Sequence, residues 1–466
     1  MSLTKVSYSM ITGAVANILD YGAVADYNTS TGAGTNNATA IQAAITAVNT
    51  AGGGAVYIPA GKYRIDSSLT IPFGVSMFGG GGSVSTIFPK SCNGLTFNSA
   101  SYDNGCMFYQ DFGLQGAIGS TANWTAVQSI LPPGGVVSVD SRDGLNFSRL
   151  RIRDFNKAFT INNTWQCSYR DLQISKVNQA FDFGTYALNH NVCNNTIVFE
   201  SGDSFSGTAD EFGVFMDGTG CEGIHVVGNV IYGFNTDIVI GSAIFVNILD
   251  NDLEASVNGI RYSTVNNIFN IKDNYIQVDG SGAGDACIYG VGLGSTIQSQ
   301  INIEGNVCIA TGTVLAGIRI NGPANTNQYH HRLTGNHFVG MTTNDIQLNS
   351  PGQCFVENNR CISTLPTNSI SITTVLVAPV YVGYNFFAKA LYVDIAADYT
   401  GGLLVLENNA ESGVYLPRKQ AVAPTTGTWR VGDIVYNSAP ASAGYVGFVC
   451  TVAGTPGTWK SFGLIA

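Results

Sequence analysis

A six-residue pattern recurs through the second half of the chain, and it restricts the fold more than any other feature. The pattern is apolar, polar, apolar, polar, small or acidic, then Asn. It reads Ile224-His225-Val226-Val227-Gly228-Asn229, Val246-Asn247-Ile248-Leu249-Asp250-Asn251 and Phe269-Asn270-Ile271-Lys272-Asp273-Asn274. It returns as Ile301 to Asn306, His331 to Asn336 and Cys354 to Asn359, and Tyr384-Asn385 closes the run. Successive marker Asn residues lie 22, 23, 32, 30, 23 and 26 positions apart. A period in the low twenties with occasional longer spacings is the mark of a solenoid. Alternation of period two makes each unit a strand. The expected fold is all-β, a parallel β-helix in which each coil lays its strands over those of the coil below. Two physical roles suit the Asn: it tolerates the left-handed backbone of a bend, and stacked amides can hydrogen-bond along the column.

Composition agrees with a large β-structure of low charge. Hydrophobic residues are 45% of the 466 positions and charged residues only 11%, against about 25% in typical soluble domains. The net charge of −10 argues against a nucleic-acid partner. Ten cysteines are scattered without CxxC or His/Cys clustering, so we expect reduced thiols, most of them buried, and no metal or other cofactor. No apolar run reaches membrane-spanning length, and no membrane insertion is expected. Ala14-Val15-Ala16 imitates a signal-peptidase site, but the stretch before it is too polar for a signal peptide.

In chain order, Asn37 is placed to cap a helix from Ala38 to Asn49 with Ile41, Ala44, Ile45 and Val48 on one face. The helix would cover the open end of the solenoid. Gly79 to Gly82 reads as a tight turn, since no Lys-Ser/Thr follows it as in a phosphate loop. Two coils are expected around Leu150 to Asn156 and Leu172 to Asn178. An interruption follows at about 184–223, and the repeat ends near Tyr399. Domain boundaries are expected at 1–65 for the cap segment, 66–400 for the β-helix and 401–466 for a small C-terminal β-module. In that module Trp429 and Trp459 would either pack together or stack on sugars.

One stretch carries a specific resemblance. Ile18-Leu19-Asp20-Tyr21-Gly22-Ala23, Asp26, Ala40 to Ala44 and Gly53-Gly54-Ala55-Val56-Tyr57-Ile58-Pro59-Ala60-Gly61-Lys62-Tyr63 resemble the N-terminal signature of the pectate-lyase-like superfamily. With Thr4-Lys5-Val6-Ser7-Tyr8 before it, the likeness is greatest to bacteriophage tailspikes. The resemblance implies a right-handed parallel β-helix, a homotrimer, bacterial surface polysaccharide as the ligand and other phage tail proteins as partners. It also implies a place on the virion tail after synthesis in the host cytoplasm. Small C-terminal β-modules of phage tail proteins resemble residues 401–466.

Alternation sorts inside from outside. After each marker Asn, the second and fourth residues face inward: Ile231, Leu253, Ala255, Ile276, Val278 and Cys308. The first and third face outward, which gives Val230 and Tyr232, Asp252 and Glu254, then Tyr275 and Gln277 with Asp279 at the turn. The next strand adds Arg261, Tyr289 and Arg319 outward, and the strand before the marker adds His225, Lys272 and Glu304. Paired carboxylates flanked by Tyr suit a sugar site, because the rings offer both apolar faces and hydroxyls. Strand residues i and i+2 lie ~6.5–7 Å apart, compatible with the about 5–5.5 Å of retaining or the about 6.5–9.5 Å of inverting glycosidases. Asp252, Glu254 and Asp279 are the catalytic candidates, crowding being expected to raise one pKa and supply the acid. Tyr232, Tyr275, Gln277, Arg261 and Tyr289 are the candidate substrate-binding residues. The competing catalytic set is Asp210, Glu211 and Asp217 in the interruption. Gly202-Asp203-Ser204 imitates an esterase nucleophile, but no His has Asp three residues before it. Lyase chemistry with Tyr275, Lys272 or Arg261 as base, and sugar binding without catalysis, remain open. Outward Val230, Val239, Val307, Ile309 and Val339 are the expected trimer contacts.

Overall fold

A computed structural model describes residues 15–97, 107–117, 124–129, 144–199, 211–263, 268–280, 282, 284–291, 299–322, 329–349, 352–366, 368–372, 378–388, 391–393, 404–407, 409–411, 414–415, 419–425, 429 and 431–466. They form two compact units, Met1–Ile260 and Arg261–Ala466.

Near the start of the first unit, after the short strand Ala16–Asn17, the helix Ala38–Thr50 buries Ala38, Ile41, Ala44, Ile45 and Val48 on the face the spacing predicts. Its cap differs from expectation. The Asn37 side chain is turned away, accepting from the Val24 N–H at 2.6 Å and donating to the Val24 carbonyl at 3.0 Å. The Ala38 N–H is taken instead by Asn36 Oδ1 at 3.1 Å. Parallel strands then stack coil upon coil, three to a full coil, as in His225–Val227, Val230–Tyr232 and Thr236–Ile240. The interior is aromatic in the earlier coils: Tyr109, Phe147 and Tyr169 stack at 5.1 and 5.3 Å, and Phe159 stacks on Phe181 at 5.0 Å.

The glycine turn packs as tightly as a structural turn should. A Cβ on Gly79 would lie 2.7 Å from the Asp111 carbonyl oxygen and 2.8 Å from the Ser85 Cβ.

The second unit continues the same plan with Ser299–Glu304, Val307–Ala310 and Ala316–Asn321, and again with Tyr329–Thr334, His337–Val339 and Asn344–Asn349. Both units are thus built of right-handed parallel β-helix coils, and Ile231, Leu253, Ala255, Ile276, Val278 and Cys308 are all buried as alternation requires. The unit ends in a four-stranded sheet of Lys419–Gln420, Ile434–Asn437, Tyr445–Val452 and Thr458–Leu464. There Trp429 meets Trp459 edge-on at 4.9 Å, so these two rings fill a small core.

The marker Asn residues form hydrogen-bonded ladders. In the second unit Asn306 Oδ1 accepts both the N–H and the Nδ2 of Asn274, at 3.1 and 2.9 Å, while its own Nδ2 reaches the Ile271 carbonyl at 2.9 Å. Asn336, Asn359, Asn385 and Asn409 repeat the bond from one coil to the next. Asn195, Asn229 and Asn251 do so in the first unit. The left-handed backbone belongs to the residue before the marker: Gly228, Asp250, Asp273, Gly305, Gly335, Asn358 and Tyr384 all have positive φ. Of the two roles that suit Asn, the amide ladder is therefore the one it fills.

Register corrects the early coils. The backbone N–H of Leu172 donates to Asn195 Oδ1, and Arg149 and Asp171 hold the left-handed positions before Leu150 and Leu172. Leu150 and Leu172 are therefore the marker positions, and Asn156 and Asn178 lie inside the strands Arg151–Ile161 and Gln173–Phe183. The interruption is also narrower than read. Asn191–Cys193, Thr196–Val198 and Phe212–Met216 pair in register with their neighbours, and Asn195 is a rung of the ladder.

Candidate active site

On the outer face of the first unit, Val230 pairs with Asp252 and Tyr232 with Glu254. Both rows point outward. Asp252 is exposed, Glu254 is half-buried, and Tyr232 keeps 49% of its surface. The strand Asp252–Ala255 thus holds two carboxylates on one side while Leu253 and Ala255 anchor the other side in the core. An aromatic face, an apolar side chain and two acids within two neighbouring strands can hold a sugar ring and present acid and base to it.

A third carboxyl stands behind them. Asp237, in the strand Thr236–Ile240, is fully buried, and neither of its carboxyl oxygens has a hydrogen-bond partner among the described residues. Burial first, then the charges of Glu254 and Asp252, hold its carboxyl well above the usual carboxylate range. An acidic residue directly before the apolar run Ile238-Val239-Ile240 was the sequence signal for it.

The remaining candidates divide between the units. Tyr275, Gln277, Asp279, Arg261 and Tyr289 all belong to the second unit. The Tyr275 hydroxyl donates to Gln277 Oε1 at 3.4 Å, and these two residues stand in register with Val307 and Ile309. Asp279 is exposed and accepts from Thr311 Oγ1 at 3.5 Å. Arg261 is exposed. Tyr289 is half-buried under the Arg319 guanidinium, 4.9 Å from its ring centroid, and accepts from Asn321 Nδ2 at 3.1 Å. Lys272 is held by Glu304 at 2.8 Å, which removes it as a free base.

Of the competing set, Asp210 lies outside the described residues, as do Glu200, Asp203 and Ser204. Glu211 is half-buried, and burial raises its carboxyl above the usual range. Asp217 is exposed and accepts from Ser242 Oγ at 3.0 Å. These two flank the paired strand Phe212–Met216 and do not lean over the coil from a loop. Val239, expected on the outside, is buried, whereas Val230 is exposed and Val307, Ile309 and Val339 are half-exposed.

A concavity of about 890 Å³ runs along the helix Ala38–Thr50, lined by residues such as Thr39, Ala43, Ala47 and Ser68. It has no acid or base and offers no chemistry. Among the described residues, no group of three His, Cys, Asp or Glu side chains is placed to hold a metal ion.

Residues 15–209 match the family described as Rhamnogalacturonase A/epimerase, pectate lyase-like. A stretch of 89 residues is 43% identical to mannuronan C5-epimerase AlgE3 of Azotobacter vinelandii, covering 18% of this chain and only 4% of that protein. The coil architecture is similar to the A-module of the mannuronan C-5 epimerase AlgE6 from the same organism, with a TM-score of 0.54 at 18% identity over 86% of this chain and 100% of that one. It is also similar to the catalytic unit of a thermostable GH87 alpha-1,3-glucanase from Streptomyces thermodiastaticus, with a TM-score of 0.56 at 14% identity over 86% of this chain and 70% of that one. The chain therefore has the parallel β-helix fold of these structures, and residues 15–209 carry the pectate lyase-like match within it.

Proposed function

We propose that this protein binds bacterial surface polysaccharide, such as an O-antigen, capsule or exopolysaccharide, and hydrolyses it at internal glycosidic bonds. Asp252 and Glu254 are the acid and base. The observation that carries the reading is their shared outward face beside Tyr232 on paired strands. One carboxyl protonates the leaving oxygen while the other activates water or attacks the anomeric carbon. Asp279, in the second unit, is the remaining catalytic candidate. The match to a family named for a rhamnogalacturonase supports glycan chemistry on this fold.

The tailspike role is part of the same proposal. It is supported by the resemblance carried by residues 4–65, and with it go the homotrimer, the other phage tail proteins and a place on the virion tail. A second reading, proton abstraction from a uronate by a lyase or epimerase, is favoured by the 43% identical stretch. With Lys272 engaged by Glu304, it has Tyr275 and Arg261 as its candidate bases.

The deciding experiment is a glycan-degradation screen of the parent beside Asp252→Asn and Glu254→Gln. Hydrolysis yields reducing ends without new ultraviolet absorbance. An absorbance rise from an unsaturated product moves the reading to a lyase. Full turnover in both variants removes the pair from the mechanism.

A further inference from the structure

The outer face that carries Asp252 and Glu254 is one end of a longer strip within the first unit. Arg151 pairs with Gln173, Gln173 with Thr196, Thr196 with Val230 and Val230 with Asp252. Two residues on, a second row runs from Arg153 through Ser175, Val198 and Tyr232 to Glu254. Every position in both rows is exposed or half-buried. At about 4.8 Å per coil, the four steps from Arg151 to Asp252 put the basic end roughly 19 Å from the acidic end. Beyond Arg151 the column is closed, because its next rungs, Gly113 and Thr86, are buried.

Arg151 is held and uncompensated. A Cβ on Gly82 would lie 2.8 Å from the Arg151 Cβ, so the glycine turn packs directly on the Arg stem. Four basic residues of these coils have acidic partners. Arg149 meets Asp111 at 2.7 Å, Arg153 meets Asp154 at 3.4 Å, Lys157 meets Asp182 at 2.6 Å, and Arg170 meets Asp171 at 3.9 Å. Arg151 has no ion pair among the described residues. In a chain of net charge −10, a guanidinium with no ion pair among the described residues, at the closed end of a polar strip, marks a local site for an anion.

We propose that this strip is an extended glycan-binding site and that Arg151, beside Arg153, forms its anion subsite, selecting polysaccharides that carry carboxylate groups. The inference deepens the function proposed above and rests on it only for where the scissile bond lies. Gln173, Ser175 and Thr196 supply hydrogen bonds to sugar hydroxyls along the middle of the strip. Val198, Val230 and Tyr232 supply apolar surface for ring faces. A guanidinium presents a planar fork that matches a carboxylate, which a point charge does less well.

The test uses polygalacturonate and the same polymer after reduction of its carboxyl groups, so that the two probes differ only at C6, a carboxylate against a hydroxymethyl group. Affinity is read by calorimetry or retardation in a polymer-containing gel. The parent is expected to bind the acidic form at least tenfold more tightly, with the preference falling as salt is raised. Arg151→Gln is expected to remove most of that preference, and Arg151→Lys to keep part of it. An unchanged thermal melt shows that the variants are folded. Equal binding of the two polymers, including binding of neither, overturns the proposal, as does a folded Arg151→Gln that keeps the preference. Full turnover by Asp252→Asn and Glu254→Gln would sink the catalytic reading and leave the anion subsite standing.

Discussion

Asp252 and Glu254 lie two residues apart on one strand, which fixes their spacing and direction, with Leu253 and Ala255 locked into the core between and beyond them. If they act as acid and base, Glu254→Gln or Asp252→Asn should lower kcat by about 10²–10⁴-fold while binding persists, as measured by reducing-end release. A different use of a carboxyl is seen at Asp345, which is buried in the second unit in a strand that otherwise alternates regularly. Burial pushes its pKa up to about 7, although the Ser363 and Ser369 side chains lie near enough to lower it without closing a well-formed hydrogen bond. Its folded pKa is raised above the unfolded value of about 3.9. Its contribution to stability is therefore complete below that unfolded value and is lost as pH rises through about 7. Asp345→Asn should flatten the fall of stability with pH across this window, as read by denaturant midpoints at a series of pH values.

At the scale of elements, the coils are held in line by backbone ladders and by the Asn amides that run beside them. Asn306→Ala would leave the Asn274 N–H and Nδ2 and the Ile271 carbonyl without their present partners. With about 1 kcal/mol for each of the three buried hydrogen bonds lost, unfolding should shift by a few kcal/mol in chemical denaturation. An unchanged midpoint would mean that water replaces the amide. The outward phase of Tyr232, Asp252, Glu254, Tyr275 and Gln277 was legible from alternation alone, because one inward residue out of phase would bury every polar neighbour. The earlier coils were misread because Leu150 and Leu172 stand at the marker position, while Asn156 and Asn178 supply the expected letter at the wrong place. That slip hid the strip from Arg151 to Asp252, since only the correct register puts Arg151 and Arg153 in the same two rows as the acids.

At the scale of the whole molecule, the proposed tailspike requires an assembly. The chain mass is 49.0 kDa, so sedimentation equilibrium is expected to give about three times that value, and a monomer would overturn the trimer. The apolar surface for such contacts is uneven: Phe355 keeps 40% of its surface, whereas Val239 is buried. The low charge of the chain fits a surface that works through hydroxyl, amide and aromatic groups, against which a few well-placed charges stand out.

By itself the sequence determined the solenoid, its strand alternation and the outward face of the acids, because period and phase are local properties of a chain. Tertiary structure decided the rest. It showed that the Asn serve as a ladder and that the residue before them carries the bend. It found Asp237 buried behind the acidic pair, and it gave Arg149, Arg153, Lys157 and Arg170 acidic partners while Arg151 has none among the described residues. Those are facts of which coil lies over which, and residues that meet across one rung stand more than twenty positions apart in the chain.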